Sequence, residues 1–502
     1  MHQTVLDSFD FEEDIRSYIN KKIDFAQILA KNKTNEFYKR RAYKKITRYI
    51  DKFLQGGKAD IDRIIVMPGL RGVGKTTLLL QLYLYLIEEK KIPIKRVLYF
   101  SADESRAIAS VSEIIDAYIQ DVLHTSLEEL DEQIFILMDE AHSYTNWAEV
   151  AKTKIYDQTN NIFLLVTGSS AISLETNDVL GRRKIKEALF PLNFSEYLLL
   201  THHILTPNGL TSSTREAIFN PEQVSLDDID DRWRDLRAEI RRKKLSLEDE
   251  FIRFMSLGGC PISGRDAEIV DDEIAYQRIN STIRKVIYRD LPYFKSSFDN
   301  TTLIGAEKVI AFLALKPSGA VAFETIGRNI GMNKTTVRNI LYALEKAHFT
   351  FSVKPYGGAS VVRDPWNHYF IHPCINATIR HIFSSVQLSD RHVLGVLAEN
   401  LVAAYLFRMK ETLTNVEGKS TGVFYPSEQG KRQKEKNVDF LIQDARDKIL
   451  PIEVSIGKTK TAQVVDSIRR YNSDYGILIS NFSTITKEDN ILRIPLPLFA
   501  LV

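Results

Sequence analysis

The chain has 502 residues, 44% hydrophobic and 26% charged, with a net charge of +2. These values are ordinary for a globular protein, and the near-neutral sum neither requires nor excludes a nucleic-acid partner. Only two cysteines occur, Cys260 and Cys374, too far apart in sequence to suggest a disulfide framework or a zinc site, so both are read as packing residues. No apolar run approaches the roughly 20 residues that span a bilayer. The segment Met1–Arg16 is acidic, not the basic-then-apolar pattern of a signal peptide, so no membrane partner and a cytoplasmic location are expected.

Residues 1–60 read as mostly helical. The basic stretch Tyr38–Lys45 fits either a solvated helix face or a nucleic-acid contact. Ile64–Met67 then reads as a buried strand, followed by Gly69-Leu70-Arg71-Gly72-Val73-Gly74-Lys75-Thr76, a full G-x-x-x-x-G-K-[ST] match. Thr77–Ile87 continues as an apolar helix. Strand, glycine turn and helix let the backbone N–H groups from Gly69 to Thr77 wrap a triphosphate, aided by the positive end of the helix. Lys75 is expected on the β- and γ-phosphates, and the Thr76 hydroxyl on Mg²⁺. ATP and Mg²⁺ are the expected cofactors.

Arg96–Phe100 predicts a second strand and Val111–Leu123 a helix. Ile134–Met138 is a third strand, followed at once by Asp139 and Glu140. An apolar run closed by two acids is the Walker B pattern: Asp139 for the metal, Glu140 to polarise the attacking water. Asp139-Glu140-Ala141-His142 also spells a helicase box, but no second half carrying further helicase motifs follows. A fourth strand, Asn161–Val166, ends in Thr167-Gly168-Ser169-Ser170, where Ser169 or Ser170 is the candidate sensor of the γ-phosphate.

At this point the pattern resembles the archaeal and bacterial AAA-type (STAND-like) ATPases whose C-terminal half has a restriction-endonuclease-like fold. The likeness rests on the P-loop, Asp139–His142 with Trp147, Thr167–Ser170, Gly181-Arg182-Arg183 and Phe190–Tyr197. Leu257-Gly258-Gly259-Cys260-Pro261 and Tyr288-Arg289-Asp290 extend it. The resemblance implies that Arg182 or Arg183 contacts nucleotide phosphate, within one subunit or from a neighbour in an oligomer. Residues 205–250 depart from the compact pattern and read as a surface insertion.

Residues 303–356 alternate helices with a closing hairpin, as in a winged helix. Asn333 caps a recognition-like helix that would present Lys334, Thr335, Thr336 and Arg338 to DNA, or serve as scaffold or protein contact. Further on, Glu399 in an apolar helix, Asp439, and Glu453 of Glu453-Val454-Ser455 resemble an endonuclease-like set of Mg²⁺-binding acids. Ser455 stands where that pattern has lysine, with Lys458 or Lys460 as substitutes. The basic stretch Gly430–Lys436 fits a phosphate backbone.

The expected fold class is α/β: a P-loop NTPase with a parallel sheet, a helical and winged-helix region, and an α/β endonuclease-like domain. Boundaries fall at 1–60, 61–200, 201–300, 301–375 and 376–502. Three outputs remain open: an ATPase coupled to double-stranded DNA, a nucleotide-dependent switch for a protein partner, and an ATP-gated nuclease.

Overall fold

The computed structural model describes residues 2–34, 37–56, 63–168, 179–261, 271–294, 298–357, 365–383, 390–417, 422–426, 437–443, 448–457 and 461–502. They fall into two compact units, Met1–Leu189 and Phe190–Val502. No helix among the described residues is long and apolar enough to cross a membrane.

In the first unit the apolar runs form five strands: β1 Ile64–Pro68, β2 Val97–Ser101, β3 Ile134–Asp139, β4 Ile162–Gly168 and β5 Ile185–Lys186. Their lateral order is β2-β3-β4-β1-β5, and every adjacent pair is parallel. Strands β1, β3 and β4 are buried along their whole length, as continuous apolar runs require when both sheet faces are covered. On one face Ile64, Ile136 and Leu164 share a core with Ile15, Ile19 and Ile23 of the N-terminal helix His2–Thr34. On the other, Phe135 and Phe163 pack against Phe53 of the helix Arg41–Leu54. The insertion of β4 between β1 and β3 brings the ends of all three strands to one edge of the sheet.

In the basic stretch before β1 Arg40 is buried, whereas Lys39, Arg41 and Lys44 are exposed. Lys39 pairs with Glu89 at 2.8 Å and Lys45 with Glu187 at 2.7 Å, while the Tyr49 hydroxyl donates to the same Glu187.

The second unit carries an eight-stranded sheet of β6 Thr350–Tyr356, β7 Asn367–Phe370, β8 Gly422–Pro426, β9 Phe440–Gln443, β10 Ile449–Ser455, β11 Gly476–Ser480, β12 Thr486–Glu488 and β13 Ile491–Pro495. The lateral order is β12-β13-β11-β10-β9-β8-β6-β7. Helices Asn300–Leu315, Phe323–Ile330 and Lys334–Lys346 precede the β6–β7 hairpin, and Asn333 caps the third by accepting from the Thr336 amide at 2.9 Å. Strand β6 does two jobs: Thr350–Val353 pair antiparallel with β7, and Lys354–Tyr356 pair parallel with β8. Hairpin and C-terminal strands therefore share one sheet across the 375/376 boundary expected from sequence.

Two sequence motifs resolve into packing devices. Asn193 and Glu196 form a capping box on the helix Phe194–His202, and Phe194 N and Asn193 Nδ2 donate to the carbonyls of Ala500 and Leu501. A Cβ on Gly259 would lie 2.4 Å from His372 Nδ1 and 2.6 Å from Cys374 Sγ, so only glycine fits there. Cys260 and Cys374, distant in sequence, are hydrogen-bonded neighbours, and burial pushes the Cys374 thiol up. The 205–250 segment is also built in: Trp233, Leu236 and Ile240 are buried on the helix Leu226–Arg242. Trp233 Nε1 donates to Ser483 O at 3.1 Å, and the Tyr475 hydroxyl to Ile218 O at 2.7 Å.

Candidate functional site

The loop Gly69–Thr76 leaves the C-terminal end of β1 and enters the helix Lys75–Leu84. Gly72 and Gly74 have φ of 84° and 95°, conformations that cost glycine little and β-carbon residues much. Gly69 passes so close to Leu189 that a Cβ would sit 2.4 Å from its carbonyl oxygen. Leu70 and Val73 are buried beneath the loop. Arg71 and Thr77 are half-buried.

Lys75 is 4% exposed and folds its ammonium onto the loop's own carbonyls, 3.0 Å from Gly69 O and 3.2 Å from Leu70 O. A buried cation held by carbonyl oxygens inside a glycine turn is a seat for an anion. Thr76 Oγ1 donates to Asp139 Oδ2 at 2.6 Å, joining the P-loop to the end of β3. The other carboxylate oxygen, Oδ1, accepts from the buried Thr167 hydroxyl of β4 and from Glu140 N at 3.1 Å. Burial, and then the neighbouring Glu140 charge, raise the Asp139 carboxyl; the two threonine hydroxyls and Lys75 oppose that rise. A carboxylate and a hydroxyl in contact are hard oxygen ligands of the kind Mg²⁺ takes, so the residues fit the expected ion. Glu140 adopts φ of 53°, and its carboxylate lies 3.2 Å from Nδ1 of the buried His142.

Two members of this site were not legible as such. Arg40, in the basic stretch, reaches 33 positions along the chain to donate from Nη1 to Val73 O at 2.7 Å, bracing the P-loop. Thr167 holds Asp139 from inside β4, while the sequence reading looked just beyond it to Ser169 and Ser170, which lie outside the described residues. A polar residue ending an apolar strand was the available signal.

The arginines behave differently. Arg182 lies in the turn Gly181–Arg183. The Arg183 guanidinium stacks on the Tyr156 ring at 5.2 Å from its centroid, and Arg63 lies over the same ring at 4.9 Å. Arg63 immediately precedes β1, and β5 begins opposite Ile65, so this cluster marks the N-terminal edge of the sheet. The P-loop sits at the other end of β1, about 17 Å away along a five-residue strand. Arg183 is thus not brought to the P-loop of its own chain.

In the second unit, Glu399, Asp439 and Glu453 come within electrostatic reach of one another. Glu399 accepts from the Tyr369 hydroxyl at 2.8 Å, and Asp439 Oδ2 accepts from Val454 N at 2.8 Å. Burial and the neighbouring acids hold the Asp439 carboxyl well above its usual range. Burial, with the Glu399 charge, pushes Glu453 up to about 7. Among the described residues no group of three His, Cys, Asp or Glu side chains is placed to hold a metal ion. Glu453 is buried and Glu399 and Asp439 are half-buried, with Lys316 within electrostatic reach of Glu399. Lys458, Lys460 and the 430–436 stretch lie outside the described residues.

Residues 62–198 match the family described as an AAA domain. Over 464 residues the chain is 31% identical to the Uncharacterized protein MJ1637 of Methanocaldococcus jannaschii, covering 92% of this chain and 89% of that one. An uncharacterized Haemophilus influenzae protein is 29% identical over 141 residues, 28% of this chain and 34% of that protein. Among solved structures, the Thermotoga maritima RuvB Holliday junction branch migration motor is similar at 14% identity with a TM-score of 0.28, over 63% of this chain and 89% of that one. That likeness is too weak to define the fold. The parallel five-stranded sheet and its P-loop place an AAA-type ATPase domain in the first unit, and the chain as a whole belongs to the family of M. jannaschii MJ1637.

Proposed function

We propose that this protein hydrolyses ATP with Mg²⁺ and couples its nucleotide state to binding of double-stranded DNA. The observation that carries the ATPase reading is the 2.6 Å contact between Thr76 and Asp139, with Glu140 next in the chain. When bound, ATP supplies the phosphoryl group and Mg²⁺ neutralises the charge that develops on it. Lys75 exchanges its loop carbonyls for phosphate oxygens. Asp139, held by Thr167 and Thr76, orients the metal-facing oxygens. Glu140 takes the proton of the attacking water. Arg40 keeps Val73 from shifting as the loop fills.

For the DNA arm, Arg338 and Tyr342 are exposed on the helix Lys334–Lys346 at the spacing of one helical face. A protein-partner switch is the second reading, favoured by the pairing of Lys334 with Glu324, of Lys39 with Glu89 and of Lys45 with Glu187.

ATP turnover measured with and without duplex and single-stranded DNA, over a salt series, separates these. The expected result is Mg²⁺-dependent turnover stimulated by duplex, with stimulation fading as salt rises. Turnover indifferent to DNA overturns the DNA arm in favour of a protein partner, and absence of turnover overturns the ATPase reading.

A further inference from the structure

The helix Asp272–Lys285 and the wider turn Val286–Asp290 that continues it form one amphipathic rod in the second unit. Its buried side is Tyr276, Ile279, Ile283, Val286 and Ile287. The opposite side exposes Gln277, Ser281, Arg284, Lys285, Tyr288 and Arg289, which line a shallow groove of about 410 Å³. Charge is distributed unevenly along the rod. The acids at its start are matched: Asp272 pairs with Arg253 at 3.0 Å, and Glu273 with His381 at 2.8 Å. Among the described residues no ion pair joins Arg284, Lys285 or Arg289 to an acid; the rod's own exposed acids lie at its start, and Glu307 of the helix Asn300–Leu315 stands beside Tyr288. The rod runs on directly into the helix Leu291–Phe294, so these three exposed cations within six residues do not lie at a free helix end whose dipole would account for them.

We propose that this face binds the phosphodiester backbone of duplex DNA. The assignment deepens the DNA reading of the function and rests on it. From Gln277 to Arg289 the rod extends about 18 Å, alongside roughly ten duplex phosphates at one charge per ~1.7 Å of axis. Gln277 and Ser281 add neutral donors for phosphate oxygens. Tyr288 is committed elsewhere: its hydroxyl bonds Glu307, and Arg284 lies over its ring at 5.6 Å. A ring so held is not free to stack on an unpaired base, which selects backbone contact with a duplex over single-strand binding.

The test uses the full chain and a short fluorescent duplex, with anisotropy titrations over a potassium chloride series. The triple variant Arg284→Gln/Lys285→Gln/Arg289→Gln is compared with the parent and with the charge-keeping Arg284→Lys/Arg289→Lys. The triple variant is expected to lose roughly three units of salt slope and about 10- to 100-fold in affinity near 0.1 M salt. The lysine variant recovers most of both, and ATP turnover without DNA is unchanged in either. Parent-like duplex binding by the triple variant overturns this face and leaves the DNA reading standing. A parent chain that binds no duplex overturns both, and one that binds poly-glutamate instead points to an acidic protein partner.

Discussion

Both units place acids at the ends or edges of buried strands, and the two sets are surrounded differently. Asp139 receives two hydroxyl hydrogen bonds, from Thr76 and Thr167, with Lys75 close enough to favour its charge. Asp439 and Glu453 lie within electrostatic reach of each other and of Glu399; backbone amides favour the charge on Asp439 and Glu453, and Glu399 has the Tyr369 hydroxyl and Lys316 near it. Burial raises both carboxyls, but two hydroxyls and Lys75 oppose the rise at Asp139, while at Asp439 two further acids add to it against one backbone amide. Acid spacing along a chain therefore identifies a strand edge more reliably than it identifies a site, because the donors that decide the chemistry come from elsewhere.

Parallel substitutions sharpen the contrast. Asp139→Asn is expected to lower ATP turnover by roughly 10²- to 10³-fold while the thermal midpoint stays near the parent's. Near-parent turnover would break the comparison at its stronger end. In the second unit Glu453→Gln should act on stability. Below the unfolded value of 4.5 the carboxyl is protonated in both states and contributes nothing. Between 4.5 and about 7 the unfolded chain ionises while the folded carboxyl keeps its proton, so a penalty grows across that window and is constant above it. Chemical denaturation at pH 8 should show the glutamine variant more stable by on the order of 2 kcal/mol, with the gain gone at pH 4. A gain independent of pH would contradict the acid-against-acid account. The smallest effect belongs to Arg40→Gln, which loses one charge-assisted bond to Val73 O. Nucleotide titration should show affinity about tenfold weaker, corresponding to ~1.4 kcal/mol.

What could be read from sequence follows the range of the interactions involved. The P-loop, Asp139 and Glu140 are local patterns, and the structure sets them between β1 and the helix Lys75–Leu84 and at the end of β3. Arg40 was visible only as part of a basic run, because its partner, Val73, is a backbone carbonyl 33 positions away that carries no sequence signal. Thr167 was hidden by its setting, a polar residue inside a buried strand beside two more prominent serines. The 205–250 segment looked like surface because its Thr-, Ser- and Asn-rich start masked the spacing of Ile229, Trp233, Leu236 and Ile240, a buried helical face. The continuity of β6 with the C-terminal strands depends on pairing with β8, some seventy residues later, which no local pattern encodes.

We propose Glu140 as the base at the Thr76–Asp139 centre. Its most direct test is a single-turnover measurement on Glu140→Gln, with ATP binding measured on the same preparation. The account predicts binding within a few-fold of the parent and a chemical step slowed at least roughly 10²-fold, the scale of general-base loss. Hydrolysis at the parent rate with binding intact would contradict it and move the base to another residue.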